Sequence, residues 1–320
     1  MRRIAVLTSG GDAPGMNAAI RAVVRSGISR GMEVYGVYRG YEGLIENDIR
    51  RLEWHNVGDI IYRGGTILQT ARCERFHDDE WVEYAADNLK HRGIDSLVVI
   101  GGDGTYRGGL CLAKHGISVI GIPASIDNDL GYTDFTIGFN TAINTVLDLV
   151  TKIRDTSSSH SRATIIEVMG RHCGDLAIYA GITSGADVIM VPECEIPISE
   201  VIERVRAGKN SGKLHTVIIK AEGVETPLSE LQDILEHLTG QETRTVVPGY
   251  IQRGGSPTAQ DRLIASLAGS RAIELIAQND GKSYAIGTNG SEVFNVSLEE
   301  AVNKKRVFRD DIYDLANVLG

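Results

Sequence analysis

Leu97-Val98-Val99-Ile100-Gly101-Gly102-Asp103-Gly104-Thr105 is the stretch whose reading decides the fold. Val and Ile in a short apolar run predict a buried strand. The two glycines after it let the backbone pack tightly against a ligand, where a Cβ would block close approach. Asp103 then stands at the strand's C-terminal end, where open α/β sheets bind ligands. A carboxylate among exposed backbone N–H groups suits a metal-bound phosphate. Gly-Gly-Asp-Gly is equally good chemistry for a plain strand-to-helix turn, and on this stretch alone the two readings weigh the same.

Working outward, a second Gly-rich turn shifts the balance. Ile4-Ala5-Val6-Leu7 is another strand-like run, followed by Thr8-Ser9-Gly10-Gly11-Asp12-Ala13-Pro14-Gly15 and then by the helical periodicity of Asn17 to Val24. Pro14 near a helix start costs nothing, and Gly10 and Gly11 precede a helix N-terminus, a ready anion site. The spacing fits neither the P-loop nor the dinucleotide fingerprint. Two such turns at strand ends favour a phosphate-binding rim.

Two further strand ends carry charge. Pro123-Ala124-Ser125-Ile126-Asp127-Asn128-Asp129 follows the run Val119 to Ile122, and Glu167-Val168-Met169-Gly170-Arg171 follows Ala163 to Ile166. Asp127 and Asp129 suit shared work as base and metal partner, or one of them caps the turn. Arg171 suits a phosphate clamp through its planar fork, or an ordinary surface ion pair.

Strand-like runs near 3–8, 33–38, 95–100, 118–123, 162–169, 187–191, 215–221, 243–248 and 283–287 alternate with helical stretches. The helices are expected near 15–29, 81–92, 105–115, 139–157, 173–184, 198–210, 227–238, 258–277 and 310–318. This alternation implies an α/β fold of parallel sheets with helices on both faces. The chain has 320 residues, enough for one or two domains, and no Pro- or Gly-rich linker divides it.

Hydrophobic content of 42% and charged content of 23% are ordinary for a globular protein. A net charge of −9 argues against nucleic-acid binding and requires local arginines to draw in an anionic substrate. Arg72, Arg162, Arg171, Arg244 and Arg253 lie near Gly-rich or strand-end segments. No apolar run approaches the ~18–20 residues that span a bilayer, and Met1-Arg2-Arg3 leads straight into the first strand without a signal peptide. Cys73, Cys111, Cys173 and Cys194 show no C-x-x-C pairing, which suits a reduced cytoplasm.

The four elements, in this order, resemble the bacterial ATP-dependent 6-phosphofructokinases. The resemblance runs to Gln252-Arg253-Gly254-Gly255-Ser256-Pro257-Thr258, essentially the whole chain. Ile126-Asp127-Asn128-Asp129 with Met169-Gly170-Arg171 is specific to that family, whereas Gly-Gly-Asp-Gly-Thr also occurs in NAD kinases and lipid kinases. The resemblance implies two Rossmann-like, three-layer domains with mainly parallel sheets. The ATP-binding domain would hold 1–138 plus 256–305, and the fructose 6-phosphate-binding domain 139–255 plus 306–320.

It further implies that Gly11, Arg72, Cys73, Gly102, Asp103, Gly104 and Thr105 hold ATP, with Asp103 the Mg²⁺-associated carboxylate. Asp127 would be the general base, with Ser125, Asp129 and Arg171 beside the transferring phosphoryl. Met169, Gly170 and Glu222 would meet the sugar. Arg162 and Arg244 would come from a neighbouring subunit of a homotetramer to meet the 6-phosphate, with Arg253 from the same chain. Tyr250 stands where the family usually has His. Gly104 and Ala124 stand where pyrophosphate-using relatives carry Asp and Lys, which favours ATP over the alternative donor. An effector site for ADP or phosphoenolpyruvate would use Arg21, Arg25, Arg154, Gly185, Asp187, Ser211, Lys213 and His215. Ser211 and Asp187 there, and Leu214 beside them, depart from the family pattern, so the expected response is weak.

Overall fold

A computed structural model describes residues 2–278, 280–290 and 292–319; Met1, Asn279, Ser291 and Gly320 lie outside them. The strands in chain order are β1 (Arg3–Thr8), β2 (Glu33–Val37), β3 (Ile49–Leu52), β4 (Ile94–Gly101), β5 (Ser118–Ser125), β6 (Ile137–Gly138), β7 (Ala163–Val168), β8 (Val188–Met190), β9 (Thr216–Ala221), β10 (Thr243–Val246), β11 (Tyr284–Asn289) and β12 (Glu292–Ser297). The helices are α1 (Met16–Ser29), α2 (Gly40–Ile45), α3 (Asp79–His91), α4 (Asp103–Lys114), α5 (Phe139–His160), α6 (Asp175–Ser184), α7 (Ile198–Asn210), α8 (Leu228–Thr239), α9 (Ala259–Gln278), α10 (Leu298–Asn303) and α11 (Asp310–Leu319).

The chain forms two compact units. The first holds Met1–Ile126, Leu130–Thr141 and Arg253–Arg306; the second holds Asp127–Asp129, Ala142–Gln252 and Val307–Gly320. Two segments group differently from the ranges that the resemblance implies. Asp127–Asp129 belongs with the second unit, where Asn128 is hydrogen-bonded to Asp175. Arg253 to Gly255 belongs with the first, because this segment packs closely there: a Cβ on Gly64 would stand 2.4 Å from the Gly255 carbonyl oxygen.

The first unit's sheet runs β12-β11-β5-β4-β1-β2-β3, with β6 added on β5. Its central pairs β11/β5, β5/β4, β4/β1 and β1/β2 are parallel, and its edges β3 and β12 are antiparallel. The central runs are apolar because both faces are covered: Leu97 to Ile100 and Ile4 to Leu7 are all fully buried. From β1 the chain continues to β2 on one side and later returns to β4 on the other, so β1 and β4 flank a switch in strand order. Such a switch opens a crevice at the strands' C-terminal ends. The second unit's sheet, β10-β7-β9-β8, is parallel throughout. Ile165, Ile218, Val188 and Met190 form its core with Val201, Val205, Leu231 and Leu235 of α7 and α8. No helix among the described residues is long and apolar enough to cross a membrane.

Candidate active site

In the first unit three neighbouring strands end in register. Thr8 pairs with Ile100, and Gly101 with Pro123, so the turns after β1 and β4 and the last residue of β5, Ser125, emerge side by side. Thr105 ties two of them together, its hydroxyl donating to the Ser9 carbonyl at 3.0 Å. Gly101 is required by that tie: a Cβ there would lie 2.3 Å from Thr105 Oγ1 and 2.5 Å from the Ser9 carbonyl oxygen. The first glycine therefore serves protein packing, and the second and third face outward. A Cβ on Gly102 would reach only Ser125, at 4.0 Å, and one on Gly104 would meet nothing within 4 Å.

Asp103 lies in the first turn of α4, where the helix dipole favours an acid. Its carboxylate accepts from Arg107 Nε at 2.8 Å and is 44% exposed. Tyr41 supports the turn from beneath. Its buried hydroxyl donates to the Thr105 carbonyl, and its ring stacks on Phe76 with centroids 4.3 Å apart. Nearby Arg72 is exposed and Cys73 half-buried. Burial, aided by a hydrogen bond to Glu42, pushes the Cys73 thiol up to about 11, so it is an inert thiol at neutral pH. A Cβ on Gly11 would lie 3.5 Å from the Arg253 guanidinium. Among the described residues no group of three or more His, Cys, Asp or Glu could hold a metal. One exposed carboxylate still fits an ion that keeps several waters and arrives with substrate phosphates.

In the second unit β7 and β9 also end in register, Val168 opposite Ala221. Here side chains dominate. Past β7 the backbone turns through Gly170 at φ 137° and Arg171 at φ 54°. The first value suits glycine, and a Cβ there would strike the Cys173 carbonyl oxygen at 2.4 Å. Glu222, just past β9, holds this loop: its Oε1 accepts from the N–H groups of Gly170 at 3.2 Å and Arg171 at 2.7 Å. The Met169 N–H donates to Gln252 Oε1 at 3.1 Å. Arg171 thereby reaches Asp127, with Nε 3.4 Å from Oδ2; the arginine side chain is 61% exposed and the carboxylate 6%. A carboxylate so buried needs a partner of this kind. Asp129 is half-buried one residue beyond Asn128.

Arg162 and Arg244 converge on one carboxylate. Arg162 Nε lies 2.7 Å from Glu242 Oε2, and Arg244 pairs with Oε1 of the same residue. The hydrogen bond from Arg162 and the two cations hold the Glu242 carboxyl below its ordinary value. Tyr250 is 79% exposed, beside the exposed Ile251 and Val247.

The residues assigned to an effector site divide between the units. Arg21 and Arg25 lie on α1, where the Arg25 guanidinium sits over the Trp54 ring, 4.7 Å from its centroid. A similar pair, Arg75 over Trp81 at 5.0 Å, follows the Cys73 segment. In the second unit Lys213 pairs with Asp187, whose other oxygen accepts from the Val217 N–H at 2.7 Å. Arg154 donates to the Gly185 carbonyl, and Ser158 Oγ and His215 Nδ1 are 2.7 Å apart. Burial, with Arg154 nearby, lowers the His215 pKa. Ser211 is exposed and its hydroxyl turns back to Gly208 at 2.8 Å.

Three supporting residues went unread in the sequence. Glu242 stands two residues from Arg244 at the start of a short strand, a spacing that places both on one face and could have flagged the pair. Asn128 stands inside its motif with no role that the resemblance implies, and Asp175 reads as an ordinary acid at a helix start.

The profile of the phosphofructokinase family, described as "Phosphofructokinase", matches residues 3–276. The chain is 53% identical over 319 residues to a protein of Alkaliphilus metalliredigens named "ATP-dependent 6-phosphofructokinase", covering 100% of this chain and 99% of that one. It is 51% identical over the same length to one of the same name from Clostridium botulinum, again covering 100% and 99%. Among solved structures it resembles the phosphofructokinase of Saccharomyces cerevisiae, with TM-score 0.90 and 36% identity, over 100% of this chain and 47% of the yeast chain. A pyrophosphate-dependent phosphofructokinase from Marinobacter aquaeolei shares the fold at TM-score 0.86 and 20% identity, over 100% of this chain and 91% of that one.

Proposed function

The chain belongs to the phosphofructokinase family, and from that premise we propose that it moves the γ-phosphoryl of ATP to the 1-hydroxyl of fructose 6-phosphate, giving fructose 1,6-bisphosphate and ADP. The observation that carries this reading is the full-length likeness to ATP-dependent relatives. The open space at Gly104 supports ATP over pyrophosphate. Ala124, the other position read for the donor, is buried in β5 and adds no open space.

Asp127 takes the proton of the 1-hydroxyl as its oxygen attacks the γ-phosphorus. The bond from that phosphorus to the bridging oxygen breaks, and ADP leaves with the electron pair. Arg171, already beside Asp127, neutralises charge that develops on the phosphoryl oxygens. Ser125 lends its hydroxyl and Asp129 assists its neighbour. Gly11, Arg72, Cys73 and the Gly102–Thr105 turn hold the nucleotide. Asp103 would hold Mg²⁺, which when bound neutralises phosphate charge. Met169, Gly170 and Glu222 face the sugar; a carboxylate accepts several hydrogen bonds, so Glu222 can hold its loop and still receive a sugar hydroxyl.

Arg162 and Arg244, lent by a neighbouring subunit of a homotetramer, read the 6-phosphate with Tyr250 and Arg253. The exposed apolar surface of Tyr250, Ile251 and Val247 supports such a contact. ADP and phosphoenolpyruvate act weakly as effectors, because Lys213 already has a counter-ion in Asp187. The expected coupling is below the typical ~1–3 kcal/mol. Strong inhibition by sub-millimolar phosphoenolpyruvate would overturn that weakness. The reaction itself is tested by a coupled assay for fructose 1,6-bisphosphate with ATP or pyrophosphate as donor, with and without a chelator. Turnover with ATP that stops on chelation is expected; turnover with pyrophosphate alone would refute the assignment of donor.

A further inference from the structure

We propose that Asp175 is a positioning residue that sets the Asp127 carboxylate by way of Asn128. The proposal rests on the reading of Asp127 as the base. Asn128 stands between the two carboxylates of its motif, fully buried and at φ 53°. That is left-handed backbone, which asparagine tolerates better than most residues but which still has to be held by its surroundings. The structure shows the holder. Asn128 Nδ2 donates to Asp175 Oδ2 at 2.8 Å.

Asp175 is only 1% exposed. An acid at a helix start is favoured on dipole grounds alone, but burying its charge is costly unless hydrogen bonds offset the lost water. A site that needed only a helix cap would be served by an exposed acid. The burial therefore marks a contact that matters in itself.

The same loop delivers both partners of the motif. Arg171 meets Asp127, and Asp175, four residues later, meets Asn128. Between them the loop is stiffened by the Cys173 N–H on the Gly170 carbonyl at 2.9 Å and the Gly174 N–H on Glu193 at 2.8 Å. Two consecutive residues are thus gripped by one rigid segment, the first through charge and the second through an amide. Without the second grip, the backbone at 128 can turn and carry the Asp127 carboxylate away from its attacking geometry. A misplacement of ~1 Å at a reacting group can cost ~10²-fold in rate.

The test measures turnover of fructose 6-phosphate with ATP in the full chain. Asp175→Ala is expected to lower kcat ~10- to 100-fold while the KM for ATP stays within about twofold. Asp175→Asn, whose amide oxygen still accepts, should recover part of that loss. Asn128→Gly keeps the left-handed turn but removes the amide, so it should match Asp175→Ala, and it carries the test if that variant does not fold. Because both act through one contact, the double variant should be no slower than either single one. A kcat within about twofold of wild type in Asn128→Gly, or losses that multiply in the double variant, would overturn the proposal. A wild-type chain without turnover would overturn the underlying reading, and the proposal with it.

Discussion

At the ends of β1 and β4 the chain offers backbone; at the ends of β7 and β9 it offers charge. The first unit's turns carry Gly10, Gly11, Gly102 and Gly104, with partly exposed carboxylates at Asp12 and Asp103. The second unit carries Asp127, Arg171, Glu222, Arg162 and Arg244, each engaged by a neighbour. The contrast is also one of support. Asp103 pairs with Arg107 four residues along its own helix, an exposed pair worth little to stability. Asp127 is buried and reached from another strand's loop. Backbone donors suit a polyphosphate, whose oxygens are many and interchangeable. A proton transfer has one correct atom, so its group must be held from several sides.

The sharpest way to break this comparison is Asp127→Asn. It should lower kcat by at least ~10²-fold and leave ATP binding nearly unchanged, since the first unit's turns are untouched. Near wild-type kcat in steady-state kinetics would remove Asp127 from its role. Gly104→Asp strikes the other side. A carboxylate projected into the open space should raise the KM for ATP about tenfold through like-charge repulsion, with little effect on the KM for fructose 6-phosphate. An unchanged KM for ATP would show that the nucleotide does not pass over that turn.

Tyr250→His should lower the KM for fructose 6-phosphate roughly two- to fivefold, because a partly cationic imidazole replaces a neutral phenol. Kinetics between about pH 6 and 8, spanning the ~6.5 reference pKa of histidine, would reveal it as a gain that fades with rising pH. An unchanged KM across that range would show that the neighbouring arginines suffice.

The smallest effect concerns His215, whose pKa burial lowers, with Arg154 adding to the shift. The unfolded chain then takes up this proton more readily than the folded one. The contribution to stability is fully present above the unfolded value of ~6.5 and is lost as pH falls toward the folded value. Thermal melts between about pH 7 and 5 should fall less steeply for His215→Gln than for wild type. Parallel curves would place the acid sensitivity elsewhere.

The parallel core was legible because its strands are covered on both faces and therefore read as unbroken apolar runs. The edges were not. β3, Ile49-Arg50-Arg51-Leu52, buries its two ends and exposes its middle, and β12 is half-covered along most of its length, so neither shows the period of a strand. Motif and strand-end position singled out Asp127, Arg171 and Glu222, and the loop after β7 does bring these three together. What stands behind them was not legible. Nothing in sequence spacing links Asn128 to Asp175, because their contact depends on how the loop after β7 folds over the motif. The two glycines of Gly101-Gly102 look alike on the page, yet one is filled by Thr105 and Ser9 and the other is open.

The stacked arginines have a spectroscopic consequence. The chain has two tryptophans, Trp54 and Trp81, both in the first unit, and each carries a guanidinium over its indole ring. Indole emission responds to the charge and polarity at the ring face, so each is a native optical reporter. Trp54 would register any anion that draws Arg25 away, and Trp81 any change passed along Arg75 from the segment around Cys73. The second unit holds no tryptophan and is dark at these wavelengths. A fluorescence titration of the unmodified protein therefore reports events in the first unit without a label.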